Sequence, residues 1–434
     1  MRDSTSSPGW TGCGTSTSMA PGCRTRRGAG ILRRGRRCTC TSTRPTMTAT
    51  PAGIDTDSAG AAPVTAREPD RREPMVARRP SSSLCACGCA VILLAAVPLT
   101  RAALDPGTAA GMTSAAVAWL GTLDADQRAR ATKPFGDESR TGWHFIPKND
   151  RKGVQLRDMT PLQERAALQL LRAAVSQVGY EKSVLIMRLD EILRLLEGEK
   201  AKNIRDPKRY YFTIFGTPAP EGTWGLSVEG HHLSLNFTVR DGRLVDSTPQ
   251  FMGANPAVVK TTFAGLPDAG FRVLAAEETL AFDLVRSLDE GQRKRAIVAT
   301  DAPKEIRAAG EPQPPLTAPA GIPYAALAAD QQSLVRRLVE TYCAAMPPEV
   351  ATERLRLIES GPATAGAVHH GWDDVHFAWS GALEPGIGHA YVVEGPSFVI
   401  EFVNVQPDAE GNPANHIHCA WRDRTGDFDL PAKP

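Results

Sequence analysis

The sequence predicts an α+β fold, with a helical N-terminal half packed on a mostly antiparallel β-sheet in a single large domain. Three observations carry this expectation. Apolar residues recur at helical spacing from residue 112 to the Gly-Glu of LLEGE. From Tyr210 onward the period becomes two, in YYFTIFG and WGLSVEGHHLSLNFTVRDGRLV, and again near the C-terminal end in VHFAWSG, HAYVVEG, SFVIEFVNV and NHIHCAWRD. Asp241-Gly242 is a tight-hairpin dipeptide, and helices come mostly before strands, which favours α+β over a doubly wound sheet.

Residues 112–133 read as one helix, in which Asp124 and Gln127 have capping-box spacing. The phrase TLDADQRARA returns as SLDEGQRKRA at 287–296. Both read as well-formed helix starts rather than as a duplication. Thr160-Pro161-Leu162-Gln163 opens a helix that runs to Gly179, with proline in its first turn. KSVLIMRLDEILRLLEGE follows as its hairpin partner. TPQFMGANPA reads as a turn-rich loop. Residues 270–298 and 324–346 are helical again, and the Pro- and Ala-rich stretch 300–323 is a loop within the same domain.

The N-terminal quarter has a different character. Residues 1–74 are rich in Ser, Thr, Arg, Gly and Pro and carry no apolar period, so they cannot offset the entropy of ordering. They read as a disordered or mis-translated upstream extension. Residues 75–102 have a basic head, an apolar run from Leu84 to Leu99 and small residues after it, the layout of a signal peptide. The run is short for a membrane span, so the expectation is a secreted or periplasmic protein without a stable span after cleavage. Residues 103–434 then carry 35 basic and 42 acidic side chains. That balance argues against a nucleic-acid partner. Only Cys343 and Cys419 remain of nine cysteines, and whether they pair stays open. All nine histidines fall in this part.

In NHIHCAWRD, alternate strand residues share a face, which places His416 and His418 about 7 Å apart on one side. In the neighbouring FVIEFVNV, Glu401 stands opposite the apolar face of Phe398, Ile400 and Phe402. If the two strands pair, Glu401 comes beside the histidines, and two histidines with one carboxylate suit zinc, iron or manganese. In GHHLSLNFTV the polar face holds His232, a fourth ligand or general base. His231 points with the leucines as a buried, hydrogen-bonded histidine, and His144 reads as structural. Arg140, Arg151 and Arg422 are candidates to grip an anionic substrate, Arg422 first. The motifs HExxH, GxSxG, GxxxxGK[ST] and GxGxxG are absent from the sequence.

The phrases RTGWHFIPKNDRKGVQLRDMTPLQERAALQLL, RDPKRYYFTIFGTP, WGLSVEGHHLSLNFTV, TPQFMGANPA, GFRVLAAEE and FVIEFVNVQ…NHIHCAWRD together resemble the domain of unknown function 3500 family over nearly all of residues 115–430. The resemblance implies one unit and an export signal. It carries no activity and no catalytic residues.

The residues themselves favour a secreted, metal-dependent hydrolase. His416, His418 and Glu401 hold a divalent ion, zinc first and iron, manganese or copper next, and His232 is the catalytic group. The rival expectation is a non-catalytic secreted protein that binds a carbohydrate or another cell-envelope ligand, using Trp372, Trp379 and Trp421 for ring stacking.

Overall fold

Local sequence sets the helix starts. The Asp124 carboxylate accepts the Gln127 backbone N–H, and the Gln127 side chain accepts the Asp124 N–H. Thr160 with Gln163 and Asp289 with Gln292 form the same reciprocal cap. The computed structural model describes residues 107–361 and 368–432; the extension 1–74 and the signal segment 75–102 lie outside the described residues.

The chain runs α1 (Thr108–Thr122), α2 (Ala125–Ala131), β1 (Thr132–Lys133), β2 (Val154–Gln155), α3 (Pro161–Ala174), α4 (Gln177–Glu197), β3 (Tyr211–Phe215), β4 (Thr223–Gly230), β5 (Leu233–Arg240), β6 (Arg243–Asp246) and β7 (Gln250–Ala254). It continues as α5 (Ala275–Ser287), α6 (Glu290–Ala296), β8 (Ile297–Ala299), β9 (Ile322–Pro323), α7 (Ala329–Cys343), α8 (Pro348–Ser360), β10 (His376–Gly381), β11 (His389–Glu394), β12 (Phe398–Asn404) and β13 (Ile417–Asp423). All thirteen strands join one mostly antiparallel sheet, ten of them in the order β1-β3-β4-β5-β7-β13-β12-β11-β10-β8, with β2 on β3, β6 on β5 and β9 on β10. The α+β class predicted from the sequence is therefore the class of the structure.

The arrangement within that class differs from the expectation. Helices do not simply precede strands; the chain lays down the same series of elements twice. β1 pairs with β3 in parallel at Thr132↔Ile214, and β8 pairs with β10 in parallel at Ile297↔Trp379. Gly230↔Leu233 closes the β4–β5 hairpin, and Glu394↔Val399 runs one step further along the matching β11–β12 hairpin. The phrases VEGHHLSLNF and VEGPSFVIEF occupy these equivalent places. Leu233↔Met252 in β5–β7 corresponds to Phe398↔Asp423 in β12–β13. These registers make Gln250 the counterpart of Trp421, and those two residues face each other where β7 meets β13. A pseudo-two-fold axis thus passes through the central strand pair.

Side-chain contacts repeat as well. Gln127 and Gln163 exchange amide hydrogen bonds at 3.2 and 2.7 Å. Gln292 and Gln331 do so at 2.8 and 2.9 Å. Each amide also donates to a backbone carbonyl at a neighbouring helix end. The two DxxQ words are therefore equivalent parts of a duplicated unit, contrary to the reading of them as unrelated helix starts. Divergence at almost every other position hides the repeat.

Two readings also change. Residues 112–133 form two helices, because Asp124 caps a new start. TPQFMGANPA contains β7, which the turn residues around it conceal. α8, in a stretch for which the sequence set no expectation, lacks a side-chain cap and begins at the second of two prolines.

Alternation divides the sheet into two faces. Leu233, Leu235, Phe237, Ile400, Phe402 and Cys419 lie with the helices in the large core. The opposite face is covered by the loops between β1 and β2 and between β8 and β9, which place Trp143, Phe145 and Ile306 on Phe251, Val403 and Ala420. The indole N–H of Trp143 donates to the Glu311 carbonyl at 2.7 Å and ties the two loops together.

Gly153 and Gly321 are equivalent residues at the ends of these loops, with φ of 91° and 93°. A Cβ would lie 2.3 Å from the Phe212 carbonyl oxygen at the first and 2.1 Å from that of Phe377 at the second. Gly153→Ala and Gly321→Ala should each cost roughly 2–4 kcal/mol by forcing a side chain into a left-handed, occupied position. Urea denaturation checks this: a large loss at one site with none at the other contradicts their equivalence.

Candidate metal centre

The run WGLSVEGHHLSLNF is not one strand. His231 and His232 form the two-residue turn between β4 and β5, with His232 at φ 62°. Histidine enters this backbone region more often than most side chains, though seldom. The sequence gives no warning, because neither residue is Gly, Asn or Asp. The turn carries the buried His232 ring toward the start of β13. Gly253 makes room for it: a Cβ there would meet the Ile417 carbonyl at 2.8 Å and the His232 ring at 3.0 Å. The Gly253 N–H also donates to the His232 carbonyl at 2.8 Å.

His416, just before β13, and His418, within it, share a face as the alternation predicted. The three Nε2 atoms converge. His232 lies 2.7 Å from His416 and 3.3 Å from His418, and His416 lies 3.1 Å from His418. This triangle has a chemical consequence. A neutral imidazole offers at each nitrogen either an N–H or a lone pair. Three mutually contacting nitrogens cannot alternate, so at least two of the same kind must face each other. A cation at their meeting point removes the conflict by accepting all three lone pairs.

Contacts on the far side of two rings suit that arrangement. His418 Nδ1 lies 2.8 Å from both Glu305 carboxylate oxygens, so it donates a proton there, which leaves Nε2 as the nitrogen that turns a lone pair to a metal. Asn255 Nδ2 lies 3.2 Å from His416 Nδ1, while Asn255 Oδ1 is buried without a partner. Turning this amide over, an exchange that leaves its shape unchanged, brings the oxygen against Nδ1–H and frees the His416 Nε2 lone pair. The His418 ring is further held edge-on against Phe145 and Phe251.

Burial holds His232 well below its ordinary titration range, reinforced by His231, His416, His418 and Arg205. His416 is pushed down to about 2 by burial, then by His418, His231 and Arg205. Both imidazoles are therefore neutral near pH 7, the form that binds a metal.

Other sequence-nominated residues fall elsewhere. β12 and β13 do pair, but their register sets Val403 opposite His418 and Glu401 opposite Ala420. The Glu401 carboxylate is taken by the Arg307 guanidinium and backbone N–H, and the residue is not among the converging ligands. Glu305 contacts the triad instead. Arg422 is not available to a substrate. It is 1% exposed, bonded to Asp427 at 2.5 Å and to the Ala308 and Glu311 carbonyls, and lies over Trp143. Trp372, Trp379 and Trp421 are buried, which removes them as stacking platforms. Cys343 and Cys419 are separate buried thiols, and burial pushes the Cys343 thiol up to about 12. His231 is hydrogen-bonded, as expected, through Nδ1 to Asp190 at 2.6 Å. It belongs to the turn rather than to the leucine face.

Gly253, Asn255 and Glu305 escaped the sequence reading. The first two lie in MGANP, where a glycine and an asparagine suggested only a turn. Glu305 sits in the Pro- and Ala-rich loop, where no periodicity singles out a side chain.

A family model described as "Protein of unknown function (DUF3500)" matches residues 106–430. No curated protein and no solved structure matches the chain.

Purified protein equilibrated with zinc should retain a single divalent ion per chain, and the His416→Ala/His418→Ala variant none; equal metal content in both would sink the centre. Glu305→Gln should weaken zinc affinity about 10–100-fold, the usual effect of removing a carboxylate behind a ligating histidine, as read by competition with a chromogenic chelator.

Proposed function

This chain belongs to the DUF3500 family, and we propose that it is a metal-dependent hydrolase whose divalent ion, zinc first, is held by His232, His416 and His418. The observation that carries this reading is the convergence of three Nε2 atoms within 3.3 Å of one another. Three protein ligands leave a coordination position open, the pattern of catalytic rather than structural zinc. A cation bound there lowers the pKa of a coordinated water and polarises a carbonyl or phosphoryl oxygen.

The roles of the protein's own groups follow from their contacts. His232 serves as a ligand rather than a base, because its Nε2 faces those of the other two. Glu305 fixes the His418 tautomer. His416 is the only one of the three that is not fully buried, so substrate and water approach from its side. Iron and copper take the same nitrogen donors and manganese prefers oxygen, so three imidazoles without a carboxylate ligand fit zinc best. The rival reading, a carbohydrate- or envelope-binding protein, loses its support with the burial of the three tryptophans. Export through the segment 75–102 belongs to the proposal. Among the described residues no helix is long and apolar enough to cross a membrane.

Model carboxylic esters and phosphomonoesters provide the test. Hydrolysis by purified protein should stop on chelation, return with zinc and be absent from His416→Ala/His418→Ala. Turnover that ignores chelation, or none on either class with zinc bound, counts against a hydrolase.

A further inference from the structure

Beside the triad lies a small cleft between the Pro147–Arg151 loop and the segment from Asn203 to Arg209, with His231 and Asp190 in its wall. The His231 ring stacks on that of His232, with centroids 3.7 Å apart. This joins the cleft directly to the proposed metal ligand.

The charges around the cleft are mostly cationic. Asp190 has its oxygens engaged by His231 at 2.6 Å and by the Tyr210 hydroxyl at 3.0 Å. Arg151 and Lys152 are tied to the buried Glu229, and Arg205 to Glu197. Arg205 also reaches within 3.4 Å of both His231 ring nitrogens. Lys148 and Arg209, which line the cleft, have no carboxylate within salt-bridge distance among the described residues. The Arg209 guanidinium makes only long contacts, at 3.4–3.5 Å, to Asn149 and the Lys148 carbonyl. Residues 103–434 carry an acidic excess, so two cations outside any salt bridge, with Asp206 feeling the Arg209 charge only through space, form a local reversal of sign beside the histidine that stacks on His232. A guanidinium fork and a mobile ammonium are the groups that grip an oxyanion.

We propose that this cleft binds a single oxyanion, the phosphate or carboxylate of a substrate whose reacting bond lies at the metal. The inference rests on the metal-centre reading for its substrate role, and on Lys148, Arg209 and His231 for the anion site. An anionic group seated here anchors the substrate beside His231, which stacks on the His232 ring and is contacted by Arg205.

Calorimetric titration of the full chain with inorganic phosphate, and separately with acetate, tests it on zinc-loaded and EDTA-treated protein. At least one anion should bind, the stronger identifying the substrate's group. Binding should survive chelation and fall tenfold or more in Arg209→Ala and in Lys148→Ala, the loss expected for a charge-assisted hydrogen bond. Both side chains reach solvent, and unchanged thermal melting controls for folding. No binding of either anion overturns the proposal. Binding that disappears on chelation and is indifferent to both substitutions also overturns it, because the anion then sits on the metal. Wild-type protein that takes up phosphate but no zinc overturns the metal centre and the substrate role while leaving the oxyanion site.

Discussion

The antiparallel pairing of β7 with β13 is the constraint on which the rest of the molecule depends. It joins the two repeats into one sheet, and its register is set at Gln250↔Trp421. The same pairing sets Gly253 opposite His418 and Ala254 opposite Ile417. A slip of one residue would turn His418 into the helix-packed core and Cys419 toward the triad. The register is held by burial on both faces: Cys419 and Trp421 pack among the helices, while Ala420 and Phe251 pack beneath the loops. The histidine triad is thus built at the seam between repeats, and neither repeat contains it alone.

Pseudo-symmetry shows how one site arose from two equivalent places. The counterpart of the His231-His232 turn is Pro396-Ser397, and the counterpart of Gly253 is Arg424. The backbone contact is kept at both, since Gly253 N–H donates to the His232 carbonyl and Arg424 N–H to that of Ser397. Glu229 and Glu394 are also equivalent, and each is neutralised by two cations: Arg151 with Lys152, and Arg307 with Arg424. Burying a carboxylate in this way is tolerable only when it is paired. The scaffold therefore buries equivalent carboxylates in both repeats, pairs them with cations from non-equivalent positions, and is asymmetric in its histidines. The asymmetry confines the histidine cluster to the β4–β5 turn side.

Strain and polarity concentrate at that same side. His232 adopts a left-handed backbone, its ring is buried, and it faces two more imidazoles instead of an apolar neighbour. A fold optimised for stability alone would place glycine or asparagine in the turn and an apolar residue in the pocket. Departures of this kind are expected where function outweighs local preference.

The sequence by itself determined the α+β class, the capped helix starts, the Asp241-Gly242 hairpin and the shared face of His416 and His418. Each is a local property, set by hydrogen bonding within a few residues or by the period of two along a strand. Tertiary structure decided the rest. That His232 sits in a turn and closes the triad, that Arg307 captures Glu401 while Glu305 supports His418, and that Arg422 and the tryptophans are buried all depend on which distant segment covers which face. The duplication was written in the sequence as two DxxQ words and two VEG words. Only the matched registers on either side of Gln250 and Trp421 show them to be one unit used twice, because symmetry lives in the pairing of strands and local propensity does not record it.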